Sequence, residues 1–241
     1  MSSVASNSYL WRLLVDPADP FTLYTGSGDN ARSRDGGETW EPLQPSTSPV
    51  ELLAADPIRA GLLYGRQNGE LVISEDGGGS WREAGMELGI DTYQPFFQIH
   101  PTNPLVLYAG ELSVYSIERG VHPGTLGRSE DGGKSWDQQK LEYQFYKLIP
   151  DPQNLDGLYA VSGDTIWHSN NRGRDWVPFK VLGGGWGKSG PVELEIHPRV
   201  PGVMVAWTYG ELFFWKASIQ GRTWEKIPLP ASAWGLVFSP Q

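Results

Sequence analysis

The chain has 241 residues, with 30 Gly, 19 Pro and 12% aromatic side chains, 11 of them Trp; this turn-rich composition with large groups to bury fits one large all-β domain or two small ones, not a disordered segment. A net charge of −9 lacks the cationic footprint that phosphate backbones demand, which excludes nucleic acid as a partner. Without Cys there is no disulfide, no zinc–thiolate site and no Cys nucleophile.

The first element in chain order is "LLVDPADPFTLYTG", starting at Leu13: an apolar run, a Pro-containing turn and a second apolar run, which predicts a hairpin of strands A and B. After a short loop, "SRDGGETW" (33–40) predicts a tight turn from strand C into strand D. The same order returns four times. "LLAADPIRAGLLYG" from Leu52 precedes "SEDGGGSW" (74–81), and "FQIHPTNPLVLYAG" from Phe97 precedes "SEDGGKSW" (129–136). "KLIPDPQNLDGLYA" from Lys147 precedes a decayed copy, "SNNRGRDW" (169–176). "LEIHPRVPGVMVAW" from Leu194 precedes a relic, "ASIQGRTW" (217–224), with Ile219 where the acid stands elsewhere. Four short strands in about 40–45 residues is the arithmetic of a propeller blade.

The expected fold is therefore all-β: a single β-propeller domain over 1–241, with about five four-stranded blades at about 9–46, 49–88, 95–141, 145–182 and 191–230. "WGLVFSPQ" reads as an extra A-type strand at 233–241. It leaves three closures open: a non-standard seam, a truncated reading frame, or completion by a second chain through self-association of the incomplete blade. No apolar stretch approaches 18 residues and the first 20 lack a basic leader, so neither a membrane span nor a signal peptide is expected, and the cytoplasm is the default compartment.

The box has a physical logic. Ser33, Ser74 and Ser129 supply a hydroxyl at the strand edge. Asp35, Asp76 and Asp131, with Asn171 in the fourth copy, accept turn N–H groups as in an Asx turn. Gly37, Gly78 and Gly133 supply backbone freedom. Trp40, Trp81, Trp136, Trp176 and Trp224 are apolar plugs, each burying ~150–250 Å². These are read as structural residues, not catalytic ones, because a catalytic acid is not needed once per blade.

The box resembles the Asp-box (BNR) repeat, S-x-D-x-G-x-T/S-W, and the "DP…LY" pattern upstream is similar to that of Asp-box propellers. The resemblance spans nearly the whole chain and implies the propeller. Such repeats occur in sialidases, xyloglucanase-type glycosidases, the sortilin luminal domain and a photosystem II assembly factor, so they do not choose between catalysis and binding. The early Arg-Ile-Pro motif of sialidases is absent, so no catalytic residue is transferred onto Arg12, Arg66, Arg82, Arg119 or Arg128.

Function is expected on the edge that carries the B–C loops and D–A connections, where length varies. The longest B–C segment is "ELSVYSIERGVHPGT" (111–125), expected as a loop. Each B–C turn is expected to carry Gly followed by an acid: Asp29, Glu70, Glu111, Asp164 and Glu211, a ring of carboxylates to attract a basic peptide or hold a cation. Ordinary turn chemistry gives the same dipeptide. Tyr93, Tyr115 and Trp186 are candidate anchors for a sugar or peptide. His100 and His197 stand where other copies have Asp and are read as turn residues; His122 and His168 do not complete a metal site. The expected partner is a protein, peptide or carbohydrate, with no cofactor and no metal. The leading reading is a non-catalytic binding or assembly scaffold, and the alternative is a glycoside hydrolase or carbohydrate-binding protein.

Overall fold

The recurring segments become strands, and each strand pairs with its neighbours in sequence. The computed structural model describes residues 12–26, 30–43, 49–89, 96–116, 120–181, 192–208, 213–217 and 223–228. The first sheet is β1 (Arg12–Asp16), β2 (Asp19–Gly26), β3 (Ala31–Ser33) and β4 (Glu41–Pro42). The second is β5 (Glu51–Ala55), β6 (Leu63–Gln67), β7 (Glu70–Ser74) and β8 (Arg82–Glu87). The third is β9 (Phe96–Ile99), β10 (Leu107–Ser116), β11 (Gly120–Ser129) and β12 (Asp137–Lys140). The fourth is β13 (Lys147–Pro150), β14 (Leu158–Ser162), β15 (Thr165–Ser169) and β16 (Val177–Val181). The fifth is β17 (Val192–Ile196), β18 (Met204–Thr208), β19 (Phe213–Ala217) and β20 (Trp224–Pro228).

Each sheet holds its strands in chain order, a four-stranded meander. Among the described residues there is no helix, and so none long and apolar enough to cross a membrane. The chain divides into two compact units. Residues 1–99, 104–111 and 127–138 form the first, and 100–103, 112–126 and 139–241 the second. The extra strand expected at 233–241 lies outside the described residues.

Period-2 side-chain alternation builds the core. In β6, Leu63 packs with Tyr24, Leu43, Val50 and Leu52, while the next residue, Tyr64, packs with Leu53, Leu107 and Ala109 on the opposite face. In β7, Val72 joins the first cluster and Leu71 and Ile73 join the second. The run "ELVIS" is apolar on both sides because both faces of this sheet are buried. The second unit repeats the device: Tyr159, Val161 and Ile166 of the fourth sheet meet Leu194, Met204 and Ala206 of the fifth. Outer strands such as β12 and β16 expose most residues, which suits the edges of the meanders.

Turn chemistry fixes the hairpins. Asn68 and Gly69 have φ of 51° and 84°, so both adopt the left-handed conformation of the two-residue turn that matches strand twist. The A–B turns are capped by their first side chain. Asp16, Asp56 and Asp151 accept N–H groups of Ala18 (3.0 Å), Ile58 (2.9 Å) and Gln153 (2.9 Å). His100 and His197 do the same through Nδ1, accepting from Thr102 N–H (3.3 Å) and Arg199 N–H (3.1 Å). An imidazole can replace a carboxylate here only as the tautomer with the proton on Nε2. In His100 that Nε2–H then donates to the Asp151 carbonyl at 3.0 Å, tying one A–B turn to the next.

The box glycines are seats for side chains of the preceding sheet. Gly78 and Gly133 have φ of 86° and 84°. A Cβ at Gly78 would lie 2.7 Å from Leu43 Cδ1, and one at Gly133 would lie 2.7 Å from Ile73 Cδ1. The equivalent Gly173 faces Leu126 at 2.9 Å. Gly133→Ala should therefore cost about 1–3 kcal/mol more than Gly85→Ala. Gly85 also has a positive φ (67°) but nothing within 4 Å of its would-be Cβ. Urea unfolding of the two variants measures the difference, and equal losses would reduce the seat to backbone strain alone.

Candidate functional site

Each box folds around one serine hydroxyl. Ser74 Oγ accepts the N–H of Gly78 (2.8 Å) and donates to Asp76 Oδ1 (2.8 Å). Asp76 Oδ1 also accepts Ser80 N–H, and its Oδ2 accepts the Ser80 hydroxyl, both at 2.8 Å. Ser33, Asp35, Gly37 and Thr39 reproduce this set, as do Ser129, Asp131, Gly133 and Ser135. Trp40 Nε1–H donates to the Gly37 carbonyl at 3.0 Å, and Trp81, Trp136 and Trp224 pack beside the core clusters. Trp176 is buried.

These bonds stabilise the ionised acids. The hydroxyl and N–H of Thr39, then the Ser33 hydroxyl, hold Asp35 down to about 2. Ser135 and Ser129 hold Asp131 well below the usual carboxylate range. For Asp76, partial burial works upward, and the bonds from Ser80, Ser74 and Gly79 outweigh it. The carboxylates are spent on their own turns.

The fourth box swaps polarity. Asn171 Oδ1 accepts Asp175 N–H (2.9 Å), but its Nδ2 donates to Asp175 Oδ2 (2.6 Å), so acid and donor have exchanged positions. The partner role of Thr39, Ser80, Ser135 and Asp175 went unread at the sequence level, although each directly precedes the box Trp. Asn171→Asp alone should destabilise by about 1 kcal/mol by setting a second carboxylate against Asp175, and Asp175→Thr in the same chain should restore the loss. Thermal melts of the parent and the two variants would refute the exchange if the double variant were no better than the single.

The box edge and the B–C edge are opposite ends of each meander. The box stays with the A–B turn: Gly36, Gly77, Gly132 and Arg172 donate their N–H to the carbonyls of Phe21 (2.9 Å), Gly61 (2.8 Å), Leu105 (3.0 Å) and Asp156 (2.8 Å). At the B–C end the expected acids are not equivalent. Gly69 lies in the turn and Glu70 opens β7. Gly163 and Asp164 form the turn itself, where Asp164 Oδ1 accepts the Thr165 hydroxyl at 3.3 Å. Gly110 and Glu111 lie inside β10, so Glu111 is not a turn residue. The reason is that 111–116 and 120–125 are not loop but lengthen strands β10 and β11 to ten residues each.

Asp29, Glu211, Tyr93 and Trp186 lie outside the described residues, and Tyr115 is placed only as backbone within β10. Phe145 is buried against Trp176 (ring centroids 4.7 Å) and Tyr143 lies on Trp167 at 4.6 Å, making a packed aromatic cluster. Among the described residues no group of three His, Asp or Glu is arranged to hold a metal.

The geometry of the first box has a sequence counterpart: residues 31–42 match the family model of the BNR/Asp-box repeat. The turn is an Asp-box. No curated protein sequence matches the chain. Solved structures do. An ancestral GH74 enzyme superposes with a TM-score of 0.63 at 15% identity, covering 92% of this chain and 31% of its own. The GH74 xyloglucanase of Xanthomonas campestris gives 0.63 at 19%, covering 90% and 38%. YCF48 bound to D1 peptide gives 0.61 at 13%, covering 94% and 70%. The chain thus spans about a third of the GH74 enzymes. The fold is that of an Asp-box β-propeller with about five four-stranded blades.

Glu70 is the B–C acid with a distinct environment. Burial, and then the charges of Glu87 and Glu83 across β8, push its carboxyl upward. A raised folded-state value means the native chain holds this proton more tightly than the unfolded chain, so ionisation costs stability as pH rises above about 4.5. Glu70→Gln should raise the melting temperature at pH 7, with the gain vanishing by about pH 4. A gain that does not change with pH would trace to packing instead.

Proposed function

We propose that the chain is a non-catalytic binding or assembly scaffold that takes a protein or peptide ligand on its B–C/D–A edge. The observation that carries this reading is the match to YCF48 bound to D1 peptide. It extends over 94% of this chain and 70% of that one, so a peptide-bound structure and this chain share a propeller of comparable extent. The long hairpin of β10 and β11 supports it, since paired ten-residue strands offer extended backbone for a ligand strand. Glu70, Asp164 and the Glu111 register supply negative charge on the same edge, which suits a basic ligand.

The second reading, an Asp-box glycoside hydrolase or carbohydrate-binding protein, is favoured by the two GH74 superpositions. It requires two carboxylates ~5–9.5 Å apart across one sugar. A peptide array probed with the whole chain, run beside reducing-sugar release from xyloglucan oligosaccharides, separates the two. The scaffold reading expects peptide capture that falls at least ~10-fold when 111–125 is replaced by a two-residue Asn-Gly turn, with the melting temperature held. Sugar release that Glu70→Gln or Glu111→Gln abolishes would overturn it in favour of hydrolysis.

A further inference from the structure

We infer that the opposite edge of the first unit, which carries its A–B turns and Asp-boxes, is a second docking surface, fitted to a basic peptide segment studded with apolar side chains. Nine large apolar side chains are exposed among the described residues; four of them lie in A–B turns and a fifth, Phe21, lies just past the first A–B turn in β2, so that each sheet carries one. They are Phe21 (66%), Ile58 (67%), Leu105 (46%), Leu155 (43%) and Val200 (37%). Single exposed apolar residues are ordinary on protein surfaces, but one at the A–B end of every sheet is a pattern rather than scatter. The turns do not need them, since Asp or His caps each turn through its first side chain.

In the first unit three of these turns are contiguous. Gly61, in the turn of Ile58, donates its N–H to Asp16 Oδ2 at 2.8 Å, in the turn just before Phe21. A Cβ at Gly132 would sit 3.6 Å from both Arg59 Nη2 and Leu105 Cδ2, so the second and third turns meet over the third box. Between the apolar tips run the box acids: Asp35 and Glu38, Glu75 and Asp76, Glu130 and Asp131. Of these, Glu75 pairs with Arg82 (3.6 Å) and Glu130 with Arg128, and the cations of the same turns are engaged as well, Arg34 with Glu41 (3.1 Å) and Arg59 with Asp56 (2.7 Å), which leaves the negative charge of this edge to Asp35, Glu38, Asp76 and Asp131. Bonds from Thr39 and Ser135 keep Asp35 and Asp131 ionised far below neutral pH.

Apolar tips set among carboxylates select the partner. A segment alternating Lys or Arg with Leu or Phe gains on both counts. An anionic bilayer is repelled by the acids, and a second copy of this edge would set carboxylate against carboxylate. This surface is separate from the one proposed above, so the two stand or fall independently.

The test uses the full chain and an 18-residue amphipathic peptide of Lys and Leu, with a counterpart carrying Glu for Lys, followed by fluorescence anisotropy. The basic peptide should bind, more weakly at high salt, and the acidic one should not. Phe21→Ser with Ile58→Ser should weaken binding by ~10-fold or more at an unchanged melting temperature, because both side chains are about two-thirds exposed. The chain shortened at 111–125 should bind the basic peptide as the parent does. The inference is overturned if the serine variant binds as tightly as the parent, which would be adsorption by net charge. It is equally overturned if the acidic peptide binds as well, if the chain sediments with phosphatidylglycerol vesicles, or if it dimerises in a way that Phe21→Ser abolishes.

Discussion

The structure depends on a hydrogen bond about 2.8 Å long, from the N–H of the box glycine to the hydroxyl of a serine four residues earlier. It closes a turn whose N–H groups have no ladder partner and would otherwise be left unpaired, at about 1–3 kcal/mol each. Once closed, the turn places Asp over its own N–H donors and sends the Trp against the glycine. It also leaves the glycine bare, in a backbone conformation only glycine adopts easily, as the floor on which Leu43, Ile73 or Leu126 of the previous sheet rests. Local chemistry and contact between sheets meet at one residue.

The carboxylates of these sheets separate by edge. On the box edge Asp35, Asp76 and Asp131 are committed to their own turns, which is why their pKa values are held low. At the other edge Glu70 is pushed upward by burial and then by the charges of Glu87 and Glu83. Glu70 and Asp76, both turn-proximal acids of the same sheet, thus sit in opposite environments, Glu70 amid like charges and Asp76 amid hydrogen-bond donors.

Much of this was legible in the residues. The five copies of strand–turn–strand and the spacing of Trp40, Trp81, Trp136, Trp176 and Trp224 define five meanders, because turn residues and alternation are local signals. His100 and His197 were readable as turn residues from their place before Pro, but their use of Nδ1 as an acceptor depends on ring geometry that no string shows. The Gly-acid dipeptides misled at Gly110, because an identical dipeptide can turn a chain or pass through a strand, and the pairing of 107–116 with 120–129 decides which. The exchange between Asn171 and Asp175 was hidden because it is a relation between two positions, each unremarkable alone. Asp29, Tyr93, Trp186 and Glu211 lie outside the described residues, so for them the reading stands as an expectation.

The glycine seats run one way along the chain: Leu43 rests on Gly78, Ile73 on Gly133 and Leu126 on Gly173, each time the earlier sheet supplying the knob and the later one the floor. A sheet moved elsewhere with its own four strands would arrive with a knob cut for the wrong floor. The unit that can be duplicated or exchanged intact is therefore offset from the unit that is seen. It runs from one box to the next, across the gap between sheets, and that is where the joints of a recombined chain belong.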